Sequence, residues 1–303
     1  MTKRSRLRRS LALTLAAAAL AALTGACDSQ ARPAGSESTG EQRDLTRAEE
    51  VEIDRAEQVL VKKCMRDKGY PYWPVRVAGV DERKSDRYVN DDVAWAREYG
   101  LGRSFEDAAE KERREGRIAR YHEALPKKER ISYSLALIGS LDDMISVRTP
   151  SGGTFETPRT GCLVDASTQL YGDHERWFHA NKTVTSVTPV YVPKIQRDRR
   201  LTNVLKTWSR CMSESGYDYA DPDGLRAGRD SLTKGMSDGE AEDAEVKVAV
   251  AEAGCAARTG LGTTARALER EYRAKELRDH STEYRDYRRM RLHALSEARR
   301  TLT

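Results

Sequence analysis

A nine-residue segment occurs twice in this 303-residue chain and restricts what the chain can fold into. Residues 64–72 read CMRDKGYPY and residues 211–219 read CMSESGYDY, so Cys, Met, Gly, Tyr and Tyr recur at the same five places. Each copy reaches glycine five positions after its cysteine, and glycine commonly ends an α-helix because it adopts a left-handed backbone without steric cost. The doubled segment therefore predicts an internally duplicated fold, in which one helix ends at Gly69 and another at Gly216.

The residues that precede each copy have the period of an amphipathic helix. Apolar side chains recur there at steps of three and four, which places them on one helix face. They are Ile53, Ala56, Leu60 and Cys64 before the first glycine, and Leu201, Val204, Leu205, Trp208, Cys211 and Met212 before the second. Thr46 and Glu49 have the spacing of a capping box, so the first helix is expected to begin there.

Most of the remaining chain also has helical spacing. Further helices are predicted at 91–99, 104–124, 126–139, near Cys162, at 241–258, and from Thr263 to near the end as one long charged helix that frays beyond its start. Only 181–192 has the β-branched density of a strand, and Pro189 argues against a central one. The predicted fold class is all-α, with two pseudo-repeated helical halves that each contain one disulfide, a long charged C-terminal helix and a disordered N-terminal tether.

The first residues have the pattern of a secretory leader. Five basic residues precede an apolar stretch of about 13 residues, 11–23, which is shorter than the roughly 20 residues that span a bilayer. Leu23-Thr24-Gly25-Ala26-Cys27 resembles the lipobox of bacterial lipoproteins, although Thr24 replaces the leucine usual in that family. The resemblance implies cleavage before Cys27, lipid attachment to its thiol and anchoring to the outer face of the membrane. An ordinary signal peptide with a chance cysteine is the alternative, and export could use the Sec or the twin-arginine route.

The predicted organisation follows from the leader and the repeat. It consists of a signal peptide at 1–26, a lipidated Cys27 with a flexible tether at 27–43, a first helical half with an inserted helical region at 44–192, and a second half with the C-terminal helix at 193–303. The tether is rich in Ser, Gly, Pro and charge and has no apolar face to bury.

The charges of the chain are balanced once the leader is set aside. The chain has 53 Lys and Arg against 48 Asp and Glu, and the leader holds five of the basic residues, so 48 basic residues face 48 acidic ones from Cys27 onward. Balanced charge gives no reason to expect nucleic acid, since binding to phosphates needs a clustered cationic patch. The basic runs at 197–200 and 288–291 have acidic neighbours and are interpreted as solvated helix faces.

Four cysteines remain when Cys27 is assigned to lipid, and an exported chain meets an oxidising compartment. They allow three pairings, among which composition does not choose. The repeat favours one pairing, because each repeat cysteine is followed later by a Gly-Cys: Cys64 with Cys162, and Cys211 with Cys255. The alternative is a metal site, but the Cys-x2-Cys and Cys-x2-4-His spacings of such sites do not occur.

No catalytic motif occurs in the structural context that it requires. The sequence contains no Walker loop and no G-x-G-x-x-G after a strand. S-x-x-K and G-x-S-x-G occur by letter at 231–234 and 235–239, but they lie in a predicted polar loop with no strand before it. His174 and His179 are five residues apart, unlike the i, i+4 pair of a zinc-binding helix, and are interpreted as surface residues. No catalytic residue, metal or cofactor is predicted.

The candidate contact surface consists of the aromatic residues of the two repeat segments. They are Tyr70, Tyr72, Trp73, Tyr217 and Tyr219. Aromatic faces can stack on sugars or peptides. The alternative, which we favour, is that these side chains cover the disulfides and fill a small core.

Three features together resemble a group of actinobacterial secreted lipoproteins of unassigned function. They are the lipid-anchored leader, the segment from Trp208 to Tyr219, and the acidic and alanine-rich helix that reaches Cys255. The first copy departs from the pattern, with Val61 in place of Trp208. The resemblance implies architecture and brings no activity. The expected function is a non-enzymatic, lipid-anchored envelope protein that binds a cell-wall component or an envelope partner. An envelope hydrolase with an unrecognised carboxylate site, and an accessory subunit of a membrane transport or signalling system that docks through its C-terminal helix, are the alternatives.

Overall fold

The computed structural model describes residues 43–85 and 87–303. The leader, Cys27 and nearly all of the predicted tether lie outside these residues. The helices of the described part are α1 (Arg47–Asp67), α2 (Val93–Tyr99), α3 (Arg103–Glu115), α4 (Arg117–Ala124), α5 (Lys127–Leu137), α6 (Cys162–Tyr171), α7 (His174–Thr185), α8 (Thr188–Gln196), α9 (Arg199–Glu214), α10 (Pro222–Ala227), α11 (Arg229–Leu232), α12 (Asp238–Thr259), α13 (Leu261–Glu276) and α14 (Ser281–Leu302). Two strands, β1 (Met144–Arg148) and β2 (Thr154–Pro158), pair as an antiparallel hairpin. The all-α fold class is confirmed.

The two repeat segments adopt the same local structure. Gly69 and Gly216 both have positive φ, 83° and 89°. In each copy the tyrosine amide after the glycine donates to the methionine carbonyl at 2.9 Å, Tyr70 to Met65 and Tyr217 to Met212. This six-to-one hydrogen bond is typical of a helix that ends in a left-handed glycine. The duplication seen in the sequence is thus a duplication of helix ends.

The predicted start of α1 is also confirmed. The Glu49 amide donates to the Thr46 hydroxyl, and the Glu49 carboxylate accepts from the Thr46 amide at 2.9 Å. This reciprocal pair satisfies two amides that have no partner inside the helix.

Two core clusters surround the two disulfides. The first cluster contains Ile53, Val61 and Met65 of α1 with Cys162 and Leu170 of α6. The second cluster is built by α9, α12 and α13, and its buried members include Leu201, Trp208, Met212, Val248, Cys255, Leu261 and Leu268. Each cluster therefore holds one repeat segment and its disulfide partner.

Contacts between the predicted halves cross the boundary at 192. Ala294, Leu295 and Ala298 of α14 belong to the first core cluster, where they pack against α1. In the other direction, Ala96 of α2 packs against Ala249 and the rest of α12. The described residues from 43 onward form one compact unit.

The expectation about where a strand lies was wrong. Residues 181–192 lie mainly in α7 and α8, because Val184, Val187 and Tyr191 recur at helical steps and become buried together. Pro189 occupies the first turn of α8, where its missing N–H costs no hydrogen bond. The strands are at β1 and β2 instead, where alternating Ile145 and Val147 pack on Phe178.

The long C-terminal helix is present as α14, but the helical stretch predicted from Thr263 is divided. A 3-10 segment, Leu277–His280, separates α13 from α14, and Leu277 is buried at this corner against Tyr191. The expected fraying does not occur, since α14 continues to Leu302 with Met290 and Leu295 buried. The corner allows α14 to turn away from α13 and reach α1.

Candidate functional site

The first aromatic segment is mostly packed into the first core. Tyr72 is 8% exposed and its hydroxyl donates to the Gln58 side chain at 2.9 Å. Burial raises the pKa of Tyr72 to about 12, and nearby Tyr133 and Glu57 add to the effect. The Tyr70 ring meets the Tyr133 ring edge-on, with centroids 5.6 Å apart. Tyr70 and Tyr72 thus serve the core.

Trp73 is partly exposed at the surface, unlike Tyr72. Its ring lies 5.5 Å from that of Tyr121, and the Arg117 guanidinium lies 4.8 Å from its centroid. A cation at this distance from an indole face is attracted to it. The exposed face of Trp73 is therefore already partly covered by a side chain of the same protein.

Tyr217 and Tyr219 belong to the second core cluster, whereas Tyr70 and Tyr72 belong to the first. The Tyr219 ring packs closely on Gly228, where a Cβ would come within 3.0 Å of it. The two aromatic segments are thus parts of different cores and do not form one surface together. A role in ligand contact for these five residues stays a prediction.

The structure contains both predicted disulfides. The Cα atoms of Cys64 and Cys162 are 5.5 Å apart, and those of Cys211 and Cys255 are 5.7 Å apart. Among the described residues, a grouping with metal-ligand geometry is Cys64, Cys162 and Asp165, but its two sulfur atoms are bonded to each other. This grouping is therefore a disulfide beside a carboxylate.

The two histidines of α7 are partly buried and not on an open surface. His174 Nδ1 lies 3.0 Å from the Ser167 hydroxyl, and burial lowers the pKa of His174. The Nε2 atoms of His174 and His179 are buried with no hydrogen-bond partner among the described residues. Phe178 separates the two along α7 and its ring neighbours both imidazoles, so the pair lacks the shared point that a metal would need.

A groove of about 820 Å³ lies along α13, the 3-10 corner and the start of α14. Six arginines line it: Arg266, Arg270, Arg273, Arg278, Arg285 and Arg288. Among the described residues, two carboxylates do so, those of Asp44 and Glu269. We name this feature the arginine groove. None of the five predicted aromatic residues lines it.

Helix geometry explains why these arginines converge. Arg266, Arg270 and Arg273 are spaced four and three residues apart, which places them on one face of α13. Arg285 and Arg288 have the same relation on α14, and the corner at Leu277 brings the two faces together. Two basic stripes that are separate in sequence thus become the walls of one groove.

An aromatic side chain organises part of the arginine groove. The guanidinium carbons of Arg273 and Arg288 each lie 5.6 Å from the ring centroid of Tyr284. The negative face of the ring offsets part of the repulsion between these two cations. The buried Nε of Arg288 lies 3.5 Å from a carboxylate oxygen of Asp44 but forms no hydrogen bond among the described residues.

Four arginines of the groove have no carboxylate within ion-pair distance in the described part of the chain. They are Arg270, Arg273, Arg278 and Arg285. A concave surface lined by charges of one sign concentrates its field, and the planar guanidinium matches phosphate and carboxylate oxygens in pairs. The arrangement is therefore suited to a ligand that carries several negative charges.

Sequence reasoning missed the arginine groove and assigned residues 288–291 to a solvated face. That interpretation was wrong for two of them, because Arg288 is half-buried in the groove and Arg291 pairs with Glu50 of α1. The sequence does contain a pattern that could have indicated the groove, because arginines recur at helical steps from 266 to 273 and from 278 to 288. The balanced total charge concealed it, since a sum over the chain says nothing about which faces meet.

No protein-family model, no curated protein and no solved structure matches this chain. In the described part, no helix combines the length and the apolar character needed to cross a bilayer. The resemblance to actinobacterial lipoproteins therefore stays a hypothesis, and the chemistry of the arginine groove has to be judged from its own residues.

Proposed function

We propose that the protein is a non-enzymatic, lipid-anchored extracytoplasmic lipoprotein that binds an acidic cell-wall polymer in the arginine groove. The observation that carries the proposal is that, in the part of the chain that the structure describes, six arginines and two carboxylates line one concave surface. The partner class is a chain with repeated phosphate or carboxylate groups, because a groove with charges along both walls can engage several of them at once.

The place of the protein in the cell is supported by separate features. The leader and Cys27 have the pattern of a lipoprotein signal. Two disulfides suit an oxidising compartment, since cytosolic proteins keep their thiols reduced. A lipid at Cys27 with the residues that follow it would hold the arginine groove near the inner surface of the cell wall.

Binding is tested with isolated cell wall before and after chemical removal of its acidic polymers. The groove variant carries Arg270→Gln, Arg273→Gln, Arg278→Gln and Arg285→Gln. Its matched control carries Arg55→Gln, Arg97→Gln, Arg148→Gln and Arg210→Gln, which are exposed, lie on other elements and change the total charge equally. We expect the mature protein and the control to sediment with untreated wall and the groove variant to be retained at least tenfold more weakly.

Two further comparisons define the outcome. Retention should fall as salt rises and should be lost on stripped wall, because screened charges attract less strongly. Equal retention of the groove variant and its control would refute the proposal. Sedimentation with anionic vesicles but not with cell wall would assign the groove to the membrane surface instead and would also overturn it.

The lipid anchor has its own test. Cells that express the protein are labelled with radioactive palmitate, and the Cys27→Ser variant is compared with the unchanged chain. We expect label only on the unchanged chain and release of the variant from the membrane fraction. Label on the variant would place the lipid elsewhere.

A further inference from the structure

A second concave site lies beside the arginine groove and has a different character. It is a cavity of about 570 Å³ where the start of α1, the segment 87–89, α8, the start of α9 and α13 meet. Cavities of this size enclose most of a small organic ligand. We name it the inner cavity; it shares Arg266 and Glu269 with the arginine groove.

One wall of the inner cavity is apolar. The side chains of this wall are Val89, Tyr191, Val192, Ile195, Leu201 and Ala265. Val89, Tyr191 and Leu201 are buried, which means that the wall continues into the core clusters. Such a wall favours the hydrocarbon or ring portion of a ligand, since burial gains roughly 25 cal/mol for each Å² removed from water.

Other residues that line the inner cavity are cationic. They are Arg47, Arg87 and Arg266, which come from three separate segments. Burial lowers the pKa of the Arg87 guanidinium, and the positive charges of Arg47 and Arg266 lower it further. Arg87 has no carboxylate within ion-pair distance among the described residues, whereas Arg266 pairs with Asp91.

The acidic groups around the cavity do not neutralise these arginines fully. Asp91 and Asp92 favour the charged form of Arg87, but burial and the neighbouring arginines outweigh them. Asp223 and Glu269 also line the cavity. Burial raises the pKa of Tyr88, and the negative charge of Asp223 adds to this effect. Glu269 accepts a hydrogen bond of 3.4 Å from the Tyr191 hydroxyl. The cavity thus has cationic residues and an apolar wall.

The backbone of Arg87 and Tyr88 is held in place by hydrogen bonds from Arg226. The Arg226 guanidinium donates to the Tyr88 carbonyl at 2.9 Å and to the Arg87 carbonyl at 3.3 Å. The same guanidinium reaches the buried Glu252 carboxylate at 3.4 Å. These contacts fix the segment before any ligand arrives, which reduces the entropy that binding would cost.

We propose that the inner cavity binds a small amphipathic anion, with its carboxylate or phosphate at Arg87 and its apolar portion against Tyr191 and Leu201. The guanidinium of Arg87 gains an ion pair, which it has with no carboxylate of the described residues, and the apolar wall loses its contact with water. The inner cavity adjoins the arginine groove, for which a polymer ligand is proposed, but Arg87, Tyr191 and Leu201 do not line the groove, so the two sites can bind their ligands independently.

The test is calorimetric titration of the mature protein with decanoate, decyl phosphate and 1-decanol below their aggregation limits. We expect both anions to bind and the alcohol to bind at least tenfold more weakly. Arg87→Gln should reduce the affinity for both anions about tenfold or more, and Arg87→Lys should reduce it less. Arg97→Gln on α2 is the matched control, since Arg97 is exposed and lines neither site.

A filling variant, Ala265→Phe, should weaken binding of every probe because its ring occupies the apolar wall. Circular dichroism checks its fold, and if it does not fold the Arg87 variants still decide the outcome. Equal affinity for alcohol and anions, no binding of either anion, or an Arg87→Gln protein with unchanged affinity would each overturn the proposal. The two anions distinguish a carboxylate from a phosphate ligand.

The same titration of the four-arginine groove variant separates this proposal from the proposed function. It leaves Arg47, Arg87 and Arg266 in place, so decanoate should bind as before. Loss of wall binding with intact decanoate binding supports two separate sites. Parallel loss of both would assign the amphipathic anion to the groove and refute the inner cavity.

Discussion

The Asp91 carboxylate accepts two hydrogen bonds from the Arg266 guanidinium, at 3.0 and 2.7 Å, across 175 positions of sequence. The pair joins the segment after Val89 to α13 at the point that the arginine groove and the inner cavity share. Gly262, one turn earlier on α13, leaves the space that the Asp91 carboxylate occupies. This ion pair therefore joins the segment near Arg87 to α13, the helix that lines both candidate sites.

Gly262→Ala should break this link. The new Cβ would overlap the Asp91 carboxylate, so Asp91 would have to leave Arg266 or α13 would have to shift. We expect the free energy of unfolding to fall by about 1–3 kcal/mol, measured by urea denaturation. Gly239→Ala on α12 is the control, because nothing lies within 4 Å of its Cβ and alanine favours a helix. Equal stabilities for the two variants would contradict the role given to Gly262.

Glu252 should make stability depend on pH between about 4.5 and 7. Its side chain is 1% exposed, and burial raises its pKa to about 7, although Arg226 and the Asn90 amide act in the opposite direction. The folded state thus holds this proton more tightly than the unfolded state, so its contribution is complete at low pH and is lost as pH rises towards 7. The loss is roughly 3 kcal/mol on a linkage basis.

Glu252→Gln tests this expectation, since glutamine does not ionise. Unfolding at pH 5 and pH 8 should show a smaller decrease for the variant than for the unchanged protein. Other titrating groups are common to both proteins and cancel in the comparison. Glu242→Gln, at an exposed position of α12, should behave like the unchanged protein. Parallel pH profiles for all three would show that Glu252 does not control this range.

The two disulfides should differ in their rate of reduction. The Arg258 guanidinium lies 2.8 Å from Cys211 Sγ and 3.3 Å from Cys255 Sγ, whereas the Asp165 carboxylate lies 3.3 Å from Cys64 Sγ. A nearby cation stabilises both the attacking and the departing thiolate, and a carboxylate opposes them. We expect Cys211–Cys255 to open several-fold faster.

Timed treatment with dithiothreitol, alkylation and peptide mass spectrometry measure this order. Arg258→Gln should slow the opening of Cys211–Cys255, and Asp165→Asn should accelerate that of Cys64–Cys162. Access does not explain the difference, because each disulfide has one buried and one half-buried cysteine. The opposite order of opening in the unchanged protein would contradict the electrostatic explanation.

Removal of α14 should unfold the first core and not merely remove a docking element. Met290 and Leu295 are buried, and each gains roughly 1.5–3 kcal/mol from burial, out of a total stability of about 5–15 kcal/mol. Ion pairs such as that of Arg299 with Glu52 would be lost as well. We expect a chain that ends at His280 to show no cooperative thermal transition by circular dichroism.

A chain that ends at Thr301 is the control for this truncation. It lacks only Thr303 and Leu302, whose side chain is 44% exposed, so its melting temperature should change little. If the chain that ends at His280 melted cooperatively near the temperature of the unchanged protein, α14 would be an appendage. The helix could then serve as the docking element of an accessory subunit.

Local patterns in the sequence were sufficient for the helix ends and the disulfides. Thr46 and Glu49 start α1, Gly69 and Gly216 end two helices in the same way, and the repeat paired each cysteine with the correct partner. These features depend on residues close in sequence or on a repeated register. For 181–192 the β-branched residues led to the wrong prediction of a strand. The segment is helical because burial of Val184, Val187 and Tyr191 outweighs a weak strand propensity.

The sequence by itself determined a duplicated, disulfide-linked helical protein, because helix periodicity, capping and glycine conformation are local properties. Only the tertiary structure decided that α14 returns to α1, that Arg273 and Arg288 face the same Tyr284, and that Arg87 lies with Arg47 and Arg266 at one cavity. The first two depend on the turn at the Leu277 corner, and the first and the third depend on packing between residues more than a hundred positions apart in the chain. The composition counts charges but does not say how the helices are oriented, so the balanced total could not reveal where the positive charge collects.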